Sequence, residues 1–160
     1  MRESFCVSDK LHKQVELELG QLGAMFGTYA RVIEKCRIEN PDPIEIAALG
    51  SMLHSFYTGI ENIFKRIAIE YDCGVPQGEL WHKTLLNSMG TPNSGRSAVI
   101  TPDLLPVLRE FLNFRHVFRQ AYSCELKWEK MKHLVLNAND VLAKLEKAIL
   151  VFLPANTARQ

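Results

Sequence analysis

Between Trp128 and Phe152, eight apolar residues (Trp128, Met131, Val135, Ala138, Leu142, Leu145, Ile149 and Phe152) follow one another at alternating steps of three and four. Residues three and four apart share one face of a helix, so this spacing draws a continuous apolar stripe along a single long rod. A rod of that kind is not stable alone in water. It needs partner helices of similar length to bury the stripe. Asn137 and Asn139 weaken the middle, and Pro154 is expected to end the helix, giving a span of about 127–153 and a frayed tail over 154–160.

Partner stripes are present. Ser8 or Asp9 is a candidate N-cap for a first helix carrying Leu11, Val15, Leu19, Leu22, Phe26, Tyr29, Ile33 and Cys36 on one face. The two prolines of NPDP at 40–43 break it after about Ile38. Asp42 then caps a second helix with Pro43 in its first position and Glu45 behind it, running to about Tyr71. Its stripe is Ile46, Leu49, Leu53, Phe56, Ile60, Ile63 and Ile67. Gly50 and Gly59 mark points where a neighbour comes close, and Glu61 and Lys65, one turn apart, are expected to pair on the outside. A short helix over 79–89 is expected to cover one end of the assembly with Leu80, Trp81, Leu85 and Leu86, followed by a loop over 90–98. No segment alternates with period two. The chain reads as all-α, an antiparallel helical bundle of four long helices plus one short helix, in a single domain over 1–153.

Nineteen Lys and Arg against eighteen Asp and Glu leave a net charge of +1, so phosphate binding has to be local rather than global. Cys6, Cys36, Cys73 and Cys124 are dispersed without a CxxC pair, as in a reduced intracellular protein with no cysteine metal site. No apolar run approaches the roughly 20 residues of a membrane span, and the expected location is the cytoplasm. No ExxH pairs sit on two facing helices, and no phosphate-binding glycine loops or histidine ligand spacings occur, so neither a cofactor nor a metal is expected. His54, beside an apolar stripe, is expected to be a hydrogen-bonded core histidine.

The fourth element, about Leu104 to Ser123 with Thr101 or Asp103 as cap, contains the misfit. Its seam is Leu104, Leu108, Phe111, Arg115, Phe118 and Tyr122. A guanidinium remains ionised in any protein, so Arg115 on an apolar seam needs an anionic partner, a wet cleft or a ligand. His116, Arg119, Gln120 and Tyr122 surround it, and the stretch from Arg115 to His133, Arg115 included, holds five Lys or Arg against Glu125 and Glu129. On composition alone, a solvated bundle end with one buried ion pair explains this cluster too.

The run RHVFRQAY, Arg115 to Tyr122, resembles the R-x4-H-x-Y motif of HepT-like toxins in the HEPN group of helical ribonucleases. GIENIFKRIA at 59–68 and the Trp128 helix are similar in order and length, so the resemblance covers most of the chain. It implies metal-independent cleavage of tRNA or mRNA in a cleft shared by two copies. Arg115 would hold phosphate, His116 would support it, and Arg119 and Lys127 would bind flanking phosphates. It also implies an antitoxin partner, a minimal nucleotidyltransferase (MNT) that transfers AMP to the motif tyrosine, here Tyr122. The dimer would place two copies of Arg115 along one wet groove, because a monomer would leave each stranded.

One position departs from the motif. Gln120 stands where the family has histidine, and glutamine hydrogen-bonds phosphate but exchanges no proton at useful pH. Three accounts follow: a deliberately inactivated His-to-Gln toxin, which is favoured, a natural member that binds without cutting, or a chain in which His116 carries the proton. The competing class is a non-catalytic bundle, an RNA-binding or protein-interaction module in which Gln120 is native. A metal-dependent bundle enzyme is a third class without support in the spacing of acids and histidines.

Overall fold

The computed structural model describes residues 2–122 and 125–157, with side-chain environments over 9–122 and 125–154. The described residues form five helices: α1 (Arg2–Lys35), α2 (Pro43–Tyr71), α3 (Trp81–Met89), α4 (Leu104–Gln120) and α5 (Trp128–Thr157). The chain is an all-α bundle, with α2 packed against each of the other four helices. That central place fits its content. Leu49, Leu53, Phe56, Ile60, Ile63 and Ile67 are all fully buried, each contributing about 1.5–3 kcal/mol of transfer free energy.

The α2 start is built as its residue types dictate. Asp42 Oδ1 accepts from the Glu45 amide at 2.8 Å, and Glu45 Oε2 accepts from the Asp42 amide at 2.9 Å. This reciprocal capping box satisfies two amide donors that the first turn leaves unpaired, and Pro43 has no N–H to satisfy there. Lys35 Nζ, at the end of α1, donates to the same Glu45 carboxylate at 2.9 Å. The Phe26 and Phe56 rings meet at 5.2 Å, and Glu18 faces Asn62. Partner numbers fall on α1 as they rise on α2, so the two helices run antiparallel. They pack tightly at Gly59, where an added Cβ would sit 2.6 Å from Leu22 Cδ2.

Every α5 stripe residue from Trp128 to Phe152 is buried, and so is the α1 stripe except for the half-buried Tyr29. Four expectations are corrected. The backbone of α1 is helical from Arg2, which puts Ser8 and Asp9 inside the helix. A cap preference of about 1 kcal/mol does not fix a helix start. Pro154 does not stop α5, which continues to Thr157. The carbonyl its missing N–H leaves unpaired belongs to Leu150, which is 56% exposed. Leu80 lies just before α3 and is 72% exposed instead of covering the bundle. Finally, α4 ends at Gln120 with Ala121 extended (φ −93°, ψ 146°), so Tyr122 lies beyond the helix and not on its seam. Beyond this stop, Leu126 lies 2.7 Å from where a Gly50 Cβ would be. Packing over α2 prevails there over the helical letter pattern.

The 90–98 loop is less open than its composition implies. Arg96 is fully buried, and its fork meets Asp72 at the end of α2 with Nε to Oδ1 and Nη2 to Oδ2 both at 2.6 Å. Its other three hydrogens go to the Thr91, Ser97 and Ser88 carbonyls at 3.0–3.2 Å, so all five donors have acceptors. This clamp fixes the loop that delivers α4 to α2.

Among the described residues, Cys36 is a buried free thiol and Cys73 an exposed one, while the environments of Cys6 and Cys124 lie outside the described residues. No described helix is long and apolar enough to cross a membrane.

Candidate functional site

Arg115 projects from α4 toward α2 and α3 and is 12% exposed. Its Nε donates to Thr58 Oγ1 at 3.3 Å, whose own hydroxyl hydrogen is given to the His54 carbonyl at 2.8 Å. Its Nη2 stands 3.7 Å from Oε1 of Glu61, which is 1% exposed. The second Glu61 oxygen, Oε2, is 2.6 Å from Nδ1 of His82 on α3. Arg115 Nη1 lies 3.2 Å from the same ring nitrogen. A cation, a carboxylate and an imidazole from three helices thus meet at one point inside the bundle.

Two expectations change with this geometry. Glu61 does not pair with Lys65 on the outside. It faces the core between Tyr57 and Phe64, both fully buried, while Lys65 Nζ lies over the Trp81 ring at 5.2 Å from its centroid. Nor is Arg115 stranded in a single copy, because Glu61 supplies an internal counter-charge. A second copy is not needed to satisfy it. The physical reason is that a buried cation and a buried carboxylate are each costly alone and tolerable together.

Beside this cluster opens a cleft of about 480 Å³. Arg115, His116 and Arg119 of α4 line it, joined by Arg109 from the same helix and by His82 and Lys83 from α3. Glu79 is the carboxylate among the described residues of its wall. Four cations against Glu79 in the wall, with Glu61 behind Arg115, make a basic depression in a chain of nearly neutral net charge, which is the local concentration that phosphate needs. Exposed Leu80 and Val117 (72% and 55%) stand on its rim.

The other residues singled out by sequence are dispersed. Gln120 is exposed at the last turn of α4 and is not part of the cleft wall. Tyr122 is 78% exposed beyond that turn. Lys127 lines a second depression of about 450 Å³ with Glu110, Glu125, Lys130 and His133, where acids offset the bases. The two depressions share Asn113 and Val117 as a common ridge. His54 is half-buried with its ring 5.2 Å from that of Phe118, and among the described residues its ring makes no hydrogen bond. Burial, then the nearby Arg115 and Arg119 charges, hold its pKa below the usual histidine value.

Sequence reasoning missed His82, Glu61, Lys83 and Arg109. For Glu61 a signal existed: it stands four residues after Tyr57 and three before Phe64, on a second apolar stripe of α2. His82 carried none, since only the fold brings α3 onto α2. Among the described residues, no group of three or more His, Cys, Asp or Glu is placed to hold a metal.

A family model described as HepT-like protein matches residues 48–156, which covers α2 almost from its start through nearly all of α5 and leaves α1 outside. No curated protein and no solved structure gives a significant match. With more than half of the chain matched, including the whole of α3 and α4, the protein belongs to the HepT-like family of helical HEPN proteins.

Proposed function

We propose that this chain is the toxin half of a HEPN/MNT toxin–antitoxin pair, a metal-independent endoribonuclease that grips single-stranded cellular RNA, tRNA or mRNA, in the cleft beside Arg115. The observation that carries this reading is the grouping of Arg109, Arg115, Arg119 and Lys83 around one depression. Phosphate oxygens match a guanidinium fork, and a preset positive field stabilises the charge that develops on phosphorus during transesterification. Buried Glu61 and half-buried Thr58 hold Arg115 in position, so little ordering is needed when RNA arrives. His116 supports the phosphate from the same wall, and Lys127 reaches a longer strand across the Asn113–Val117 ridge.

Exposed Tyr122 suits nucleotidyl transfer, because its side chain is open to a partner enzyme. An attached AMP would add anionic bulk near the end of α4 and oppose RNA binding. The exposed Leu80 and Val117 at the cleft rim suit cover by a second copy, the homodimer of this reading. In this reading the protein works in the cytoplasm, where its RNA targets are.

Gln120 favours a second reading, in which the cleft holds RNA without cutting it, since an amide carries no proton between reacting atoms. The Gln120→His variant tests the pair. RNA cleavage in EDTA by that variant, lost on adding Arg115→Ala, supports the ribonuclease; intact RNA with both the folded variant and the unsubstituted chain removes it.

A further inference from the structure

The ring of His82 is held from two sides. Glu61 Oε2 lies 2.6 Å from Nδ1, and the Trp81 ring packs against it with centroids 3.6 Å apart. With the permanent cation of Arg115 beside it, Glu61 is the acceptor of that bond and Nδ1 carries the hydrogen. In the neutral ring this leaves the lone pair on Nε2. Nε2 has no hydrogen-bond partner among the described residues and is not closed off from solvent, and His82 lines the basic cleft. A carboxylate that orients an imidazole, whose far nitrogen is open beside a phosphate-binding arginine, has the parts of a general base and its positioning residue. His116 shares the cleft wall but is exposed, and among the described residues no carboxylate fixes its ring.

We propose that His82, oriented by Glu61, is the catalytic base for RNA in this cleft, supplied by α3 instead of by the motif helix on which Gln120 stands. The proposal rests on the ribonuclease reading above. The 2′-hydroxyl gives its proton to His82 Nε2 as its oxygen bonds to the adjacent phosphorus. The bond from phosphorus to the 5′-oxygen breaks, and that oxygen takes a proton from solvent water. The products are a 2′,3′-cyclic phosphate and a 5′-hydroxyl end, and the imidazolium returns its proton to solvent. Glu61 stabilises the imidazolium against Arg115 while the proton is held.

The test uses the full chain and a single-stranded oligoribonucleotide in EDTA. His82→Asn keeps a side-chain N–H for Glu61 and removes the base. Its cleavage rate is expected to fall roughly 10²- to 10⁴-fold, with binding of the 2′-O-methyl form of the oligonucleotide changed less than about twofold. Cleavage at the unsubstituted rate by H82N overturns the role of His82 and leaves the ribonuclease reading standing. So does an inert unsubstituted chain alongside an active Gln120→His variant. Inertness of both overturns the two together. Should H82N lose its helical signal, carbethoxylation of His82 in the unsubstituted chain, located by peptide mass spectrometry, replaces it. Cleavage that falls in step with His82 modification supports the assignment, and cleavage retained on the modified chain overturns it.

Discussion

Arg115 and Glu61 face each other across the α2–α4 contact, Nη2 to Oε1 at 3.7 Å, with the carboxylate only 1% exposed. Neither charge is tolerable there alone. Removing Glu61 with Glu61→Ala should cost about 3–5 kcal/mol, because a nearly buried guanidinium loses its counter-ion. The paired change Glu61→Leu with Arg115→Leu should cost far less, since two apolar side chains can fill the same space. Urea unfolding of Glu61→Leu, Arg115→Leu and the double closes the cycle; losses that simply add would show that the pair is not coupled.

The Arg96 clamp makes a second stability claim, away from the cleft. Arg96→Ala leaves Asp72 without its fork and should cost about 3–5 kcal/mol, which for a chain of this size lowers the melting temperature by about 6–20 °C. Arg96→Lys should recover only part, because an ammonium offers three donors where five acceptor contacts are made. A thermal melt of R96K equal to that of the unsubstituted chain would contradict the clamp.

His54 gives a dependence on pH. Its pKa is lowered in the folded chain by burial first and by Arg115 and Arg119 next. The unfolded chain therefore takes up this proton more readily than the folded one. The contribution is fully present above the ordinary histidine range near pH 6.5 and is lost as pH falls through the lower folded value. Urea midpoints at pH 7.5 and 5 should converge in His54→Gln relative to the unsubstituted chain. An unchanged difference would remove His54 from the acid response.

Salt dependence separates the two depressions. Arg119→Ala removes a cation from the basic cleft and should weaken binding of RNA of any length, lowering the slope of log K against log salt by about 0.7. Lys127→Ala should do so only for strands long enough to cross the Asn113–Val117 ridge. Equal effects of both on a dinucleotide, read by fluorescence anisotropy, would argue against this layout.

The helices were legible because three- and four-residue spacing is set by local geometry. Every α5 stripe residue and all of the α2 stripe but the half-buried Ile46 are in the core. The Asp42–Pro43–Glu45 start was legible for the same reason, since a capping box involves neighbours in sequence. What was not legible depends on distant partners. Beyond the end of α4, Leu126 comes to lie over Gly50 of α2, and Arg96 looks like a loop residue until Asp72 is placed beside it. Arg115 was identifiable as a misfit, whereas its partners were not. Glu61 and His82 lie 54 and 33 residues before it, and only the packing of α2, α3 and α4 joins them.

The central claim is that a buried scaffold presents Arg115 to RNA phosphate. Its most direct measurement is the affinity of a non-cleavable 2′-O-methyl oligonucleotide for the unsubstituted chain and for the Glu61→Gln, Arg115→Met double variant, which removes both charges and keeps the space filled. The account predicts salt-sensitive binding that weakens at least about tenfold, the equivalent of one charge-assisted contact, with the helical signal unchanged. Affinity equal in the two proteins would contradict it.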